Sequence, residues 1–238
     1  MPSHTYLEKG LTIFNTRMNE PLGRSSFSHQ LKAPPFITLS REAGAGASTL
    51  GQLLMPMLNE EFGRDGQSWM FLDKNLLHFA LTSHHLPERL AEFLPEDRVS
   101  ETKAIIGELV GLHPPLWELE HQIGETILQL ARSGRVIFAG RAAHLITRTL
   151  PGGFHIRLVA GKETRIMRLM ERQSCDRTAA GNLVGELDQA RRRFVRQYFG
   201  ADIDDPHTYD IVINTDRLPP AAVAAIVAEG LRQRQRES

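Results

Sequence analysis

Two glycines, two hydroxyl residues and an arginine-rich tract carry the chemistry of this 238-residue chain. In Phe36 to Leu54, FITLSREAGAGASTLGQLL, Gly44, Ala45 and Gly46 lead straight into Ser48 and Thr49. Small residues let backbone N–H groups converge on one anion, and a following helix adds its positive dipole end. A hydroxyl at the first helical positions caps the helix or reaches a phosphate-bound Mg²⁺. Against the phosphate-loop pattern G-x-x-x-x-G-K-[ST], Gly46 takes the second glycine and Ser48 the hydroxyl position. Arg41 stands at the first glycine and Ala47 at the lysine. The other reading of this stretch is a glycine-softened turn without a ligand.

Arginine is the second signal. Residues 141–200 hold eleven Arg and one Lys against five acids, a surplus of seven in a chain with zero formal charge. Guanidinium suits the paired oxygens of phosphate. Arg165, Arg168 and Arg172 fall at i, i+3 and i+7 of a helix expected over Lys162 to Gln173. A second basic helix is expected over Glu186 to Tyr198, containing Asp188, Arg191, Arg192, Arg193 and Arg196, with Ser174 to Gly185 as a polar loop between the two. Such a pair has the form of a lid that closes over a polyphosphate and excludes water. Zero net charge argues against general nucleic-acid binding.

The elements that would position these groups are five short apolar runs, each followed by a helical pattern: Phe36–Leu39, Trp69–Leu72, Val136–Ala139, Phe154–Val159 and Asp210–Asn214. Strand and helix in alternation predict an α/β fold with a parallel sheet covered on both faces. Asp73 follows the second strand and Gly140-Arg141 the third, at the edge where ligands bind in open α/β sheets. Asp73 reads equally as a helix cap, and Arg141 as the start of a surface helix. Residues 83–133 read as a helical insertion suited to covering a substrate. The histidines within and beside it (His78, His84, His85, His113, His121) lack metal-ligand spacing. Residues 1–35 read as an appendage, and 232–238 as a fraying end.

Cys175 is the single cysteine, so neither an internal disulfide nor a thiolate metal cluster is available. The segment MPSHTYLEKG lacks a signal-peptide pattern, and no apolar run reaches the roughly 18 residues of a membrane span. The expectation is a cytoplasmic protein without a membrane partner.

The motifs ITLSREAGAGAS, FLDKNLL, FAGRAAHLI, ETRIMRLMER, DQARRRFVRQYFG and YDIVINTDRL resemble, in order and spacing, the cytidylate kinase-like family of nucleoside monophosphate kinases. The resemblance covers about Phe36 to Ala228. It implies a three-layer P-loop nucleoside monophosphate kinase-like fold with a five-stranded parallel sheet, a helical substrate-binding insertion (about 83–133) and an arginine-rich lid (about 172–198). The domain would run over 36–231. It further implies that Gly44, Ala45, Gly46, Ala47, Ser48 and Thr49 hold the ATP phosphates, with Ser48 toward Mg²⁺, and that Asp73 and Arg141 face the monophosphate. Arg168 matches a lid arginine, and Asp188 with Arg191 repeats the lid's Asp-x-x-Arg spacing. Gly140-Arg141 matches the start of a Gly-Arg-Asp motif whose acid is here Ala142. Arg41 and Lys74 are the candidates to replace the lysine's charge, Arg41 by folding over the β- and γ-phosphates.

The activity so implied is phosphoryl transfer from ATP to a nucleoside monophosphate, with CMP or dCMP favoured by the resemblance. The alternatives are a non-catalytic nucleotide-binding or regulatory module that has lost the lysine, and a kinase of another small acceptor. The oligomeric state stays open.

Overall fold

The computed structural model describes residues 33–63, 68–73 and 116–237. The expected features at 1–32 and 74–115, including Lys74, the helix after Asp73 and four of the five histidines named above, lie outside the described residues.

Five strands form one all-parallel sheet: β1 (Phe36–Arg41), β2 (Met70–Leu72), β3 (Val136–Ala139), β4 (Gly153–Val159) and β5 (Ile211–Asn214), in the order β2-β3-β1-β4-β5. The helices are α1 (Ala47–Phe62), α2 (Leu116–Ser133), α3 (Ala143–Ile146), α4 (Lys162–Gln173), α5 (Arg177–Phe199) and α6 (Pro220–Glu237). From β1 the chain goes to β2 on one side, and from β4 to β5 on the other. The crevice at the carboxyl ends of the strands therefore opens beside the central strand β1.

Alternation along the strands divides the side chains. Ile37, Leu39, Ile137, Ile156 and Leu158 join Leu50, Leu54 and Leu58 of α1 and Val223, Val227 and Leu231 of α6 in one apolar core. The opposite parity is also buried, but partly polar: Thr38, Ser40, His155 and Arg157. Each of these has a partner, as buried polar groups require. Thr38 Oγ1 lies 2.9 Å from His155 Nδ1. Arg157 Nη1 donates to Ser40 Oγ at 2.9 Å, and Nη2 pairs with Asp204. The Tyr209 hydroxyl completes this layer, lying 3.1 Å from Ser40 Oγ and donating to the Ile203 carbonyl at 2.8 Å.

Two expectations are corrected. Residues 174–185 are not a loop: the break is confined to Ser174 to Asp176, after which α5 runs unbroken through Gly181 and Gly185. Asp176 caps α5 by accepting from Ala179 N, and Ala180 and Val184 pack on Ile166 and Leu169 of α4. That burial outweighs the roughly 1 kcal/mol which each glycine costs a helix. Nor does the chain fray at residue 232, because α6 continues to Glu237, with Arg232 paired to Glu61 and Glu229 and Arg234 to Asp210.

Candidate active site

β1 leaves the sheet at Arg41, and after five intervening residues α1 begins at Ala47. The intervening turn is built on Gly44 (φ 80°) and Gly46 (φ 93°), both in the left-handed region that side chains disfavour. A Cβ on Gly44 would lie 2.7 Å from the Arg165 carbonyl oxygen, so the turn passes against α4 where only glycine fits. Gly46 is the N-cap of α1. No side chain accepts from the helix there, and no acid lies in its first turn. The amide end of α1 thus meets the crevice without an anion supplied by its own sequence, the arrangement that receives phosphate.

Ser48, in the first turn of α1, donates to Asp73 Oδ2 at 2.7 Å. The other oxygen, Oδ1, lies 3.9 Å from Arg41 Nη2. Hydroxyl and guanidinium from the 36–54 stretch and the carboxylate that follows β2 are therefore brought together at the strand ends. Arg41 reaches toward Asp73, across the mouth of the turn. A serine hydroxyl beside one carboxylate is a hard-oxygen donor set that fits Mg²⁺, which takes one or two protein oxygens and completes its shell with phosphate and water. Among the described residues no group of three or more His, Cys, Asp or Glu could hold a metal by itself.

The arginines of α4 and α5 diverge. Arg165 and Arg191 turn inward and share Asp188: Arg165 Nη1 lies 2.5 Å from Oδ2 and Arg191 Nη1 3.5 Å from Oδ1. Asp188 Oδ1 also accepts from Ala43 N at 2.7 Å. Arg165 donates to the carbonyls of Ala43 and Ala160, while Glu42 accepts from Ala160 N. The start of the glycine turn is thereby tied to β4, α4 and α5 by buried, charge-assisted bonds.

Arg168 points instead toward Thr215. It donates to Thr215 Oγ1 at 2.9 Å and to the Thr215 carbonyl at 2.8 Å, and Thr215 Oγ1 donates to the Ala45 carbonyl at 3.1 Å. These bonds line a 440 Å³ cleft that runs from Gly44, Gly46 and Thr49 past Arg168 and Arg172 to Leu218, Pro220 and Val223. One end is polar, with Arg168, Glu171 and Arg172, and the other apolar, the composition of a small-molecule site.

Arg141, past the end of β3, is buried and in a left-handed conformation (φ 55°), followed by Ala142 (φ 47°). Its Nη1 donates to Glu120 Oε1 of α2 at 3.1 Å. α3 is too short and too buried to be the surface helix of the alternative reading. A second cleft of 360 Å³ opens between this pair and the aromatic end of α5.

Sequence reasoning missed Glu42, Glu120, Arg157, Thr215 and the pairing of Arg165 with Asp188. Thr215 sat inside the quoted motif YDIVINTDRL with no role attached. Glu120 and Glu42 carried no local signal, because their partners are distant in sequence.

A parallel sheet ordered β2-β3-β1-β4-β5, with β1 passing through a glycine turn into α1, is an α/β fold of the P-loop kinase type. Residues 36–217 match the model of the cytidylate kinase-like family, and the chain belongs to that family. It is 32% identical over 104 residues to the cytidylate kinase of Thermoplasma acidophilum, covering 43% of this chain and 55% of that protein. The corresponding match in Thermoplasma volcanium also spans about half of the relative, 54%. With the cytidylate kinase of Methanothrix thermoacetophila it shares 26% identity over 197 residues, 82% of this chain and 97% of the relative. The crystal structure of an uncharacterized protein from Eubacterium ventriosum shares the fold, with a TM-score of 0.58 at 19% identity over 83% of this chain and 98% of that one. No helix among the described residues is long and apolar enough to cross a membrane.

Proposed function

We propose that this chain is a cytoplasmic enzyme that transfers the γ-phosphoryl group of ATP to the phosphate of a nucleoside monophosphate, CMP or dCMP. The observation that carries the reading is the Ser48–Asp73 pair set against an uncapped helix N-terminus at the sheet's carboxyl edge. ATP would lie in the 440 Å³ cleft with its phosphates on the Gly44 to Thr49 amides. An oxygen of the acceptor phosphate attacks the γ-phosphorus, the bond to the β,γ-bridging oxygen breaks, and ADP leaves. The acceptor is already an anion, so no general base is needed, and catalysis is positioning plus charge stabilisation.

In this reading Ser48 and Asp73 hold Mg²⁺, which when bound with ATP offsets the phosphate charge. Arg41 supplies at the mouth of the loop the positive charge that Ala47 lacks. Arg168 braces the nucleotide cleft. Asp188 holds Arg191 and the Ala43 amide in place, and Arg141 faces the acceptor. The lid role belongs to the α4–α5 junction, beside Arg172.

A non-catalytic nucleotide-binding module is the second reading, favoured by Ala47 at the lysine position. A coupled ADP-release assay with ATP, Mg²⁺ and CMP, dCMP, UMP, AMP, GMP or dTMP separates the two. Turnover with one monophosphate, lost in Ser48→Ala, supports the kinase. ATP binding by calorimetry with no turnover on any of these acceptors overturns it in favour of the second reading or of a kinase of another small acceptor.

A further inference from the structure

The acid expected after Gly140-Arg141 is absent from Ala142, and the structure supplies one from elsewhere. Ala142 is 3% exposed, left-handed, and packed with Phe194, Val195 and Ile203 in an apolar cluster. Glu120, reached from α2, brings its carboxylate to within 3.1 Å of the Arg141 guanidinium instead. Both side chains are largely buried, yet both line the 360 Å³ cleft.

Resting on the acceptor role given to Arg141, we propose that Glu120 and Arg141 together read the amino edge of the acceptor's base, with the ring lying against Tyr198 in the cleft between α2 and α5. The site combines the two things a base requires, a flat apolar wall and a paired donor and acceptor. The rings of Phe194 and Tyr198 are 5.0 Å apart and form the wall. Tyr198 is 37% exposed, toward the cleft that it lines. Its hydroxyl pKa is pushed up by burial and by the Glu120 charge, against the pull of Arg141, so the three groups sense one another.

The register puts this cleft at the reaction edge. Ala139 pairs with Leu39 and Phe138 with Leu72, so Arg141 follows β3 at the level of Arg41 on one side and just beyond Asp73 on the other. A base in the cleft would leave its phosphate directed along the edge that holds Ser48 and Asp73.

The chemistry then selects. A carboxylate only accepts and a guanidinium only donates. Side by side they match an edge on which an N–H₂ donor adjoins a ring-nitrogen acceptor, as in cytosine and in the six-membered ring of adenine. Uracil in the same pose turns a keto oxygen toward the carboxylate and is rejected.

The test compares wild type, Glu120→Gln and Tyr198→Leu, in turnover with CMP, UMP and AMP and in calorimetric binding of each without ATP. The glutamine amide donates as well as accepts, so Glu120→Gln is expected to lower the CMP-to-UMP preference about 10- to 100-fold. Tyr198→Leu is expected to weaken CMP binding about tenfold, at one stacking contact, with KM for ATP unchanged. An unchanged CMP-to-UMP ratio in folded Glu120→Gln protein overturns the inference, and CMP turnover in that same assay leaves the kinase reading standing. CMP affinity unaltered in Tyr198→Leu assigns the cleft to another occupant and overturns it equally. Selective, Glu120-dependent binding of CMP or AMP over UMP without phosphoryl transfer supports the inference and overturns the kinase reading.

Discussion

The Ser48 hydroxyl donates to Asp73 Oδ2 at 2.7 Å, joining the first turn of α1 to the residue that follows β2. The bond holds both oxygens beside the N-terminus of α1 while costing the fold little, since Asp73 remains partly exposed. Asp73→Ala is therefore expected to lose about 10²–10³ in kcat, the scale of one preorganised electrostatic contact. Its stability should fall by only about 1 kcal/mol, one hydrogen bond. Steady-state kinetics across a Mg²⁺ titration, beside urea unfolding, checks both. A variant as active as wild type at low Mg²⁺ removes Asp73 from the site.

Asp188 behaves differently because it is buried between two guanidiniums and the Ala43 amide. Asp188→Asn keeps an oxygen for Ala43 but leaves Arg165 and Arg191 without their shared counter-charge. Breaking a buried pair from one side costs about 3–5 kcal/mol. The expected result is a lower urea midpoint with an unchanged slope, together with a raised KM for ATP as the glycine turn loosens. A change in kcat with full stability would instead make Asp188 a substrate-contacting group.

How far these roles were legible in the sequence depended on the range of the interaction. The strands were readable because a buried parallel sheet writes itself as short apolar runs, and all five begin within one residue of their expected starts. The glycine turn was readable because Gly44, Gly46 and Ser48 are local in sequence. Asp188 and Arg191 were found as a motif, but not their direction. That they face inward depends on Ala43 and Arg165, respectively 145 and 23 residues from Asp188. Arg157 carried no assigned role within the run Phe154–Val159, and it is 4% exposed because Asp204, on the loop after α5, meets its charge. The loop expected at 174–185 failed for the opposite reason: the local glycine signal was correct in kind, and tertiary packing of Ala180 and Val184 overrode it.

His155 links the polar layer of the sheet to pH. Burial lowers its pKa below the ordinary 6.5, Asp210 opposes that shift and Arg234 reinforces it. The ring contacts Thr38 Oγ1 and lies edge-on to Phe36. A histidine held neutral when folded binds its proton more readily when unfolded. Its contribution to stability is complete above pH 6.5 and is lost as pH falls from there toward the folded pKa, at up to about 1.4 kcal/mol per pH unit. Urea unfolding of wild type and His155→Gln between pH 7.5 and about 5 isolates this residue from the other histidines. The difference in stability between the two should shrink as pH falls. A difference independent of pH shows that folding does not change proton binding by His155, and the lowered pKa is then wrong.

Gly44 and Gly46 separate backbone strain from lack of space. Both have positive φ, so alanine at either position is strained by about 1–2 kcal/mol. Around Gly46 nothing lies within 4 Å of an added Cβ, whereas at Gly44 it meets the Arg165 carbonyl oxygen at 2.7 Å and its Cα at 3.0 Å. These are backbone atoms of α4, held in place by the Arg165–Asp188 pair, and cannot swing aside as a side-chain tip would. Gly44→Ala should therefore be less stable than Gly46→Ala by a further 1–3 kcal/mol, about the cost of overpacking. Unfolding both variants by urea without nucleotide measures the gap directly. Equal midpoints would mean that the turn can lift off α4, and the contact between Gly44 and Arg165 would then not be what sets the loop.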